Sequence, residues 1–220
     1  AFNQISTLLN PISDRKENAR ITFTLAANQG FEAEAELYLG NAQSAKELIA
    51  ESLRILDLLI KKDPQNARWL QAHHKSKITS LSMIPHSEWS RSNIAELDRI
   101  HASFVKLSIE DPSNSKSKIY LSAVFREIAL RALKAGNYPD AMKNAKSAYR
   151  LTLELLQKSD PSPQLYLNYA KSAELLGTTM MANQQAVAAE TIWKNAAALL
   201  DKQNIRGFDY YPVRRLLAID

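Results

Sequence analysis

The sequence predicts an all-α protein built from repeated helix pairs. Three observations predict it: the 220-residue chain has only five glycines, it is rich in Ala, Leu, Glu and Lys, and an Asp-Pro pair recurs at a nearly fixed interval. Few glycines and many strong helix formers favour helix along nearly the whole chain. A fixed interval of this length indicates a solenoid, in which each repeat stacks its apolar face on the next.

The Asp-Pro pairs mark the ends of the repeats. They begin at residues 63, 111 and 160, so they are 48 and 49 residues apart. Proline disrupts a helix interior, disfavours helical geometry in the residue before it and fits the first turn of the next helix. Each pair is therefore predicted to separate two helices. About four helix pairs result, with repeats that end near 64, 112, 161 and 202.

A second, weaker break divides each repeat into two antiparallel helices, called A and B. The breaks are the segments 39–45, 83–89, 135–141 and 181–187, in which Gly-Asn, Pro or Asn supply turn chemistry. The B helices keep their apolar residues at helical spacing.

Two segments resemble the tetratricopeptide repeat. LKAGNYPDAMKNAKSAYRL, residues 133–151, has glycine and an aromatic residue at its turn and alanines at both ends of helix B, at Gly136, Tyr138, Ala141 and Ala148. The segment 173–200 is similar, and its matching residues are Leu176, Gly177, Ala189, Trp193 and Ala196.

The interval of 48 to 49 residues is similar to a long variant of this family whose repeats end in DPxNxxW. Asp63, Pro64, Asn66 and Trp69 match that ending. The resemblance covers about residues 30–202 and implies a right-handed superhelical solenoid of antiparallel helix pairs, with residues 1–220 as a single domain. It also implies a module of a bacterial signalling protein that follows a kinase or winged-helix domain. An extracytoplasmic, periplasmic location is then expected, with the cytoplasm as the alternative.

The two ends of the chain extend this pattern. Residues 1–38 are predicted to form one or two helices, broken near Pro11 and at residues 28–30, Asn-Gln-Gly. Residues 203–220 are predicted to be a cap or the first helix of a further repeat. The chain opens without an initiator Met, so we expect a piece of a longer protein.

Charge and composition make several classes of function improbable. The net charge is +5, with 13 basic and 13 acidic residues in 1–110 against 15 and 10 in 111–220. The basic excess is spread over many helices, so nucleic-acid binding is not expected. No apolar run approaches the roughly 20 residues that cross a bilayer, and the chain has no cysteine for disulfides or thiolate chemistry.

Catalytic motifs are missing from the sequence, so no enzyme activity, cofactor or metal is expected. There is no phosphate-binding glycine loop, no HExxH and no GxSxG. His73 and His74 are adjacent and point about 100° apart on a helix, which is a poor arrangement for one metal. The acidic segment Glu32, Glu34 and Glu36 is predicted to be a solvated helix face. His101, beside an apolar stripe, is predicted to be half-buried and structural.

The tetratricopeptide resemblance selects the residues that would bind a partner. It places eight A-helix residues on the concave groove of such an array: Lys75, Thr79, Arg126, Leu130, Lys134, Lys171, Glu174 and Thr178. This set is mostly basic, which favours acidic peptides or a terminal carboxylate through charge-assisted hydrogen bonds. Tyr166 and Tyr169 either form a stacking ledge for a ligand or pack between repeats.

Three functions are compatible with these residues. The first is a non-catalytic interaction and regulatory module that binds a protein or peptide in the groove. The second is a sensor of a small ligand or stress signal, attached to a kinase or winged-helix regulator. The third is a self-assembly scaffold, in which the acidic segment 32–36 meets the basic second half of another chain and forms a homo-oligomer.

Overall fold

The computed structural model describes residues 16–158 and 162–202, and within these ranges the chain is helical. The described residues form eight α-helices and no strand, so the all-α prediction is confirmed. A short 3-10 helix, His86–Glu88, lies between the third and fourth α-helices. The α-helices are α1 (Lys16–Tyr38), α2 (Ala42–Lys62), α3 (Ala67–Ser82), α4 (Arg91–Glu110), α5 (Ser115–Lys134), α6 (Tyr138–Lys158), α7 (Pro163–Ala182) and α8 (Ala186–Lys202).

The Asp-Pro segments end one helix and begin the next by a repeated set of hydrogen bonds. At the first, Asp63 Oδ1 accepts a bond from the backbone N–H of Gln65, and Asn66 Oδ1 accepts one from the N–H of Trp69. The Asn66 bond caps the first turn of α3, whose N–H groups have no partner inside the helix.

The second Asp-Pro segment repeats this geometry 48 residues later. Asp111 Oδ1 accepts from the N–H of Ser113, and Asn114 Oδ1 accepts from the N–H of Ser117. The helix break predicted at each of these two segments is confirmed. The third pair, at 160 and 161, lies outside the described residues, although α6 ends at residue 158 and α7 begins at 163.

The breaks inside the repeats share a second repeated geometry. Gly40 and Gly136 have φ of 81° and 73°, and Gln184 occupies the equivalent position with φ of 59°. In each case the following N–H bonds to a carbonyl five residues earlier, at 2.9 Å, as in the bond from Asn41 to Glu36. This is the Schellman ending of a helix, which requires a left-handed residue that glycine adopts at little cost. All four predicted internal breaks are confirmed.

The predicted break at residues 28–30 is wrong, because α1 runs through it without interruption. Gly30 is buried where α1 meets two other helices. A Cβ atom at this position would lie 3.2 Å from Ser76 Oγ and 3.6 Å from Ser52 Oγ. The glycine therefore permits close helix packing and does not form a turn. The break predicted near Pro11 and the helix predicted in 203–220 lie outside the described residues.

The chain divides into two compact units, Ala1–Trp89 and Ser90–Asp220. In the N-terminal unit α1, α2 and α3 pack on one another. In the C-terminal unit each helix from α4 to α8 packs on the next, and α5 also packs on α7. In both units an A helix thus contacts the next A helix, α1 with α3 and α5 with α7.

Apolar side chains fill the space between these helices. In the N-terminal unit one cluster joins Phe23 and Ala26 of α1 to Leu56 of α2. In the C-terminal unit another joins Ala129 of α5 to Leu176 of α7. The small residues allow the helix axes to approach closely, so that side chains on A helices can reach across from one repeat to the next.

Candidate partner-binding surface

In the N-terminal unit the predicted binding residues Lys75 and Thr79 both contact Glu34. The Lys75 Nζ lies 3.3 Å from Glu34 Oε1, and the Thr79 hydroxyl donates to the same oxygen at 3.2 Å. Lys75 Nζ also lies 3.6 Å from the centre of the Phe31 ring. These contacts join α1 to α3, so a ligand carboxylate at Lys75 would compete with Glu34.

Burial changes the proton affinity of Lys75. Desolvation lowers the pKa of its ammonium group, and the charge and hydrogen bond of Glu34 act in the opposite direction. The side chains are only 13% exposed for Lys75 and 24% for Glu34. Glu34 therefore departs from the predicted solvated acidic face, whereas its neighbour Glu32 is exposed. The partner of Glu34 lies 41 residues away in the chain, so helical spacing could not reveal it.

The adjacent histidines of α3 have different surroundings. His73 Nε2 lies 3.0 Å from Asp57 Oδ1 of α2, and its ring centre is 5.9 Å from that of His74. Burial, followed by the charge of His73, lowers the pKa of His74 to about 4. Among the described residues no group of three or more His, Cys, Asp or Glu is placed to hold a metal ion.

Acid is expected to destabilise the N-terminal unit through His74. Between its pKa of about 4 and the ordinary value of 6.5, the unfolded chain binds more protons than the folded chain. The free energy of unfolding therefore falls as the pH drops through this window, by about 2 kcal/mol for a group that keeps some contact with solvent. Denaturant unfolding at about pH 7 and about pH 5 measures the loss.

The variant His74→Leu tests whether this residue is the cause. We expect it to lose less stability on acidification than the parent protein, while His101→Gln, in the other unit, retains the full loss in the N-terminal unit. An equal acid loss in His74→Leu and in the parent would show that another group is responsible.

In the C-terminal unit Arg126 joins two A helices by hydrogen bonds. Its Nη2 donates to Asn168 Oδ1 at 2.9 Å, and its Nη1 donates to Ser172 Oγ at 3.3 Å. Asn168 and Ser172 are both buried in α7. The guanidinium group of Arg126 thus connects α5 to α7 through bonds that a carboxylate ligand would have to share or replace.

Glu127, next to Arg126, was not selected from the sequence. Its Oε2 atom is buried and has no hydrogen-bond partner in the described part of the chain. Burial raises the pKa of Glu127 to about 7, and the charges of Arg126, Lys171 and Lys134 oppose that rise. The four charged side chains therefore form one group, here called the α5–α7 charge cluster. Sequence alone shows only a glutamate on a helix, since its burial depends on how α5 packs against its neighbours.

The chain matches no family model, no curated protein and no solved structure. No helix within the described ranges is both long enough and apolar enough to span a membrane.

The remaining predicted binding residues differ in their exposure. Lys134 and Thr178 are exposed, and Lys171 is half-buried. Leu130 packs against the apolar cluster that includes Ala129. The backbone carbonyl of Glu174 accepts a hydrogen bond of 3.5 Å from the Trp193 indole. At the α5–α7 charge cluster, the positive charge that solvent can reach thus comes mainly from Lys134 on α5 and Lys171 on α7.

The two tyrosines of α7 are core residues. Tyr169 is 1% exposed and Tyr166 is 7% exposed, so of the two predicted arrangements they adopt packing between helices. The Tyr169 hydroxyl lies 3.3 Å from that of Tyr149, and desolvation, followed by this hydrogen bond, raises its pKa. His101 is half-buried as predicted, with its ring 5.2 Å from that of Phe125.

Proposed function

We propose that this chain is a non-catalytic protein-interaction module that binds an acidic segment of a partner at the α5–α7 charge cluster. The observation that carries the proposal is that the charges of Arg126, Lys134 and Lys171, on two helices that are not consecutive, all act on the Glu127 carboxylate, while Arg126 itself is hydrogen-bonded across those two helices. A surface with three cations and one anion attracts carboxylates and repels basic segments. Arg126 is held by α7, so the surface is largely preformed, and a peptide that binds there loses little entropy in ordering it.

The proposed architecture is a right-handed superhelical solenoid of antiparallel, tetratricopeptide-like helix pairs within a larger bacterial signalling protein. It is supported by the contact of each A helix with the next inside both units. The repeated cap at Asn66 and Asn114, 48 residues apart, supports the same repeat. In such an array the A helices line one side, and α5 and α7, which carry the α5–α7 charge cluster, would both be among them.

The proposal predicts that charge changes at Lys134 and Lys171 weaken the binding of an acidic peptide. The test uses a fluorescein-labelled oligoglutamate peptide and, as its neutral counterpart, oligoglutamine of the same length. The double variant Lys134→Glu, Lys171→Gln should bind oligoglutamate about ten-fold more weakly by fluorescence anisotropy, because three units of charge change near the ligand. Added salt should weaken the parent interaction, because ions screen charge contacts at the surface.

A matched control separates this surface from the net charge of the protein. Lys143→Glu with Lys146→Gln makes the same change in charge at two exposed positions of α6. It should leave the affinity within about two-fold of the parent, because those lysines are not in the cluster. Equal weakening by both double variants, or no binding of oligoglutamate by the parent, would overturn the proposal.

A further inference from the structure

The carboxylate of Glu127 is placed to control the charge of the α5–α7 charge cluster. Its Oε2 atom is enclosed without a hydrogen-bond partner among the described residues, so no donor fixes it in the ionised form. The charges of three neighbours, Arg126, Lys171 and Lys134, act on it directly. The ionised cluster therefore carries a net charge of +2, and the protonated cluster carries +3.

Two opposing effects bring the pKa of Glu127 close to neutral pH. Burial disfavours the charged carboxylate, while the three cations favour it, and the balance is a pKa of about 7. An anionic ligand at the same cations would cancel part of their field. The ligand would then raise the proton affinity of Glu127 further, because it removes the charges that stabilise the carboxylate.

The other titratable groups around α5 have other contacts. On the side of α4, His101 packs its ring against Phe125. On the side of α6, the hydroxyl of Tyr149 is bonded to that of Tyr169, which α7 contributes. α7 also contributes Lys171, which is already counted in the cluster. Among these titratable groups, Glu127 is therefore the one that we expect to change charge near neutral pH.

We propose that binding of an acidic segment at the α5–α7 charge cluster is coupled to protonation of the Glu127 carboxylate, with uptake of a fraction of a proton per chain near neutral pH, so that affinity rises as the pH falls through neutrality. This inference rests on the proposed function. By thermodynamic linkage, the factor by which the ligand raises the proton affinity of Glu127 equals the factor by which protonation of Glu127 raises the affinity for the ligand.

The experiment measures oligoglutamate binding by the complete chain across neutral pH. Glutamate side chains ionise near pH 4.3, so the peptide keeps its charge over this range, as a phosphopeptide would not. Between about pH 8 and about pH 6 the affinity of the parent should rise about three- to ten-fold, the effect of one charge at short range near a protein surface. Titration calorimetry in two buffers of different ionisation enthalpy should show proton uptake on binding.

The variant Glu127→Gln keeps the size of the side chain and removes its titration. It should bind oligoglutamate at about pH 8 as tightly as the parent does at about pH 6, with no further pH dependence and no proton uptake. His101→Gln should retain the pH dependence of the parent, because that ring is not in the cluster. Circular dichroism of each variant confirms that the helices are intact.

The outcomes separate this inference from the proposed function. If the parent binds oligoglutamate with an affinity that does not change with pH, or if Glu127→Gln keeps the pH dependence, the coupling is overturned and the binding surface stands. If the parent does not bind oligoglutamate at any pH in the range, both are overturned.

Discussion

Gly177→Ala is expected to destabilise the C-terminal unit by about 3 kcal/mol, because the added carbon would occupy space that the Trp193 indole ring fills. A Cβ atom at residue 177 would lie 2.0 Å from Nε1 and 2.2 Å from Cε2 of Trp193. Any movement of the ring away from the added carbon would also alter the contact of its N–H, 3.5 Å from the carbonyl of Glu174 on the same helix as the glycine. Trp193 would have to leave its position between α7 and α8.

Two further variants identify the clash as the cause. Gly136→Ala makes the same substitution in the same unit, where φ is 73° and the added carbon meets no atom within 4 Å. It should cost about 1 kcal/mol, for backbone conformation alone. In a background of Trp193→Ala, the change Gly177→Ala should cost less than about 1 kcal/mol, because the obstacle is gone. Denaturant unfolding of the parent, the three single variants and the double variant measures these differences, and an equal cost of Gly177→Ala with and without the tryptophan would contradict the steric explanation.

The helix boundaries could be predicted from the sequence because they depend on neighbours in the chain. Asn66 caps α3 through an N–H three residues later, and Asn114 does the same for α5. Gly40 and Gly136 supply the left-handed residue that ends a helix. Gln184 adopts the same conformation without being glycine, and the repeat interval was enough to locate it.

The packing of the helices could not be predicted in the same way. Gly30 looked like a turn residue, and its use in close packing depends on Ser52 and Ser76, which are 22 and 46 residues away in the chain. Glu34 looked solvated because its cation is on another helix. The Oε2 atom of Glu127 is buried only because of the way α5 packs. A helical repeat fixes which face of each helix is apolar, but the residues at the edge of that face become buried or exposed by contacts between helices.

The same limit applies to the groove residues selected by the tetratricopeptide resemblance. From the sequence, Arg126 and Lys134 are equivalent, because both are cations of α5 at predicted groove positions. Their contacts separate them, because the guanidinium group is bonded to α7 and Lys134 is exposed. If Arg126 were only a groove cation, as the resemblance implies, reversing its charge would weaken an acidic partner without unfolding the array. Its contacts predict a different result.

Arg126→Glu is expected to destabilise the C-terminal unit by about 3 kcal/mol. The change removes the donors to Asn168 Oδ1 and Ser172 Oγ, both on buried residues of α7. It also places a second carboxylate beside Glu127, whose Oε2 is buried without a partner among the described residues. A buried acceptor left unpaired costs about 1–3 kcal/mol, and a like charge at short range adds to that cost.

Lys134→Glu makes the same reversal of charge on the same helix at an exposed position, and it should cost less than Arg126→Glu, about 1 kcal/mol or less, because solvent screens its effect on Glu127 and no hydrogen bond to α7 is lost. Part of the loss in Arg126→Glu should return at about pH 5, where protonation of Glu127 relieves the repulsion between carboxylates. Denaturant unfolding at about pH 8 and about pH 5 measures both effects. If Arg126→Glu were as stable as Lys134→Glu, the arginine would not hold α5 to α7. Its role would then be limited to binding a ligand.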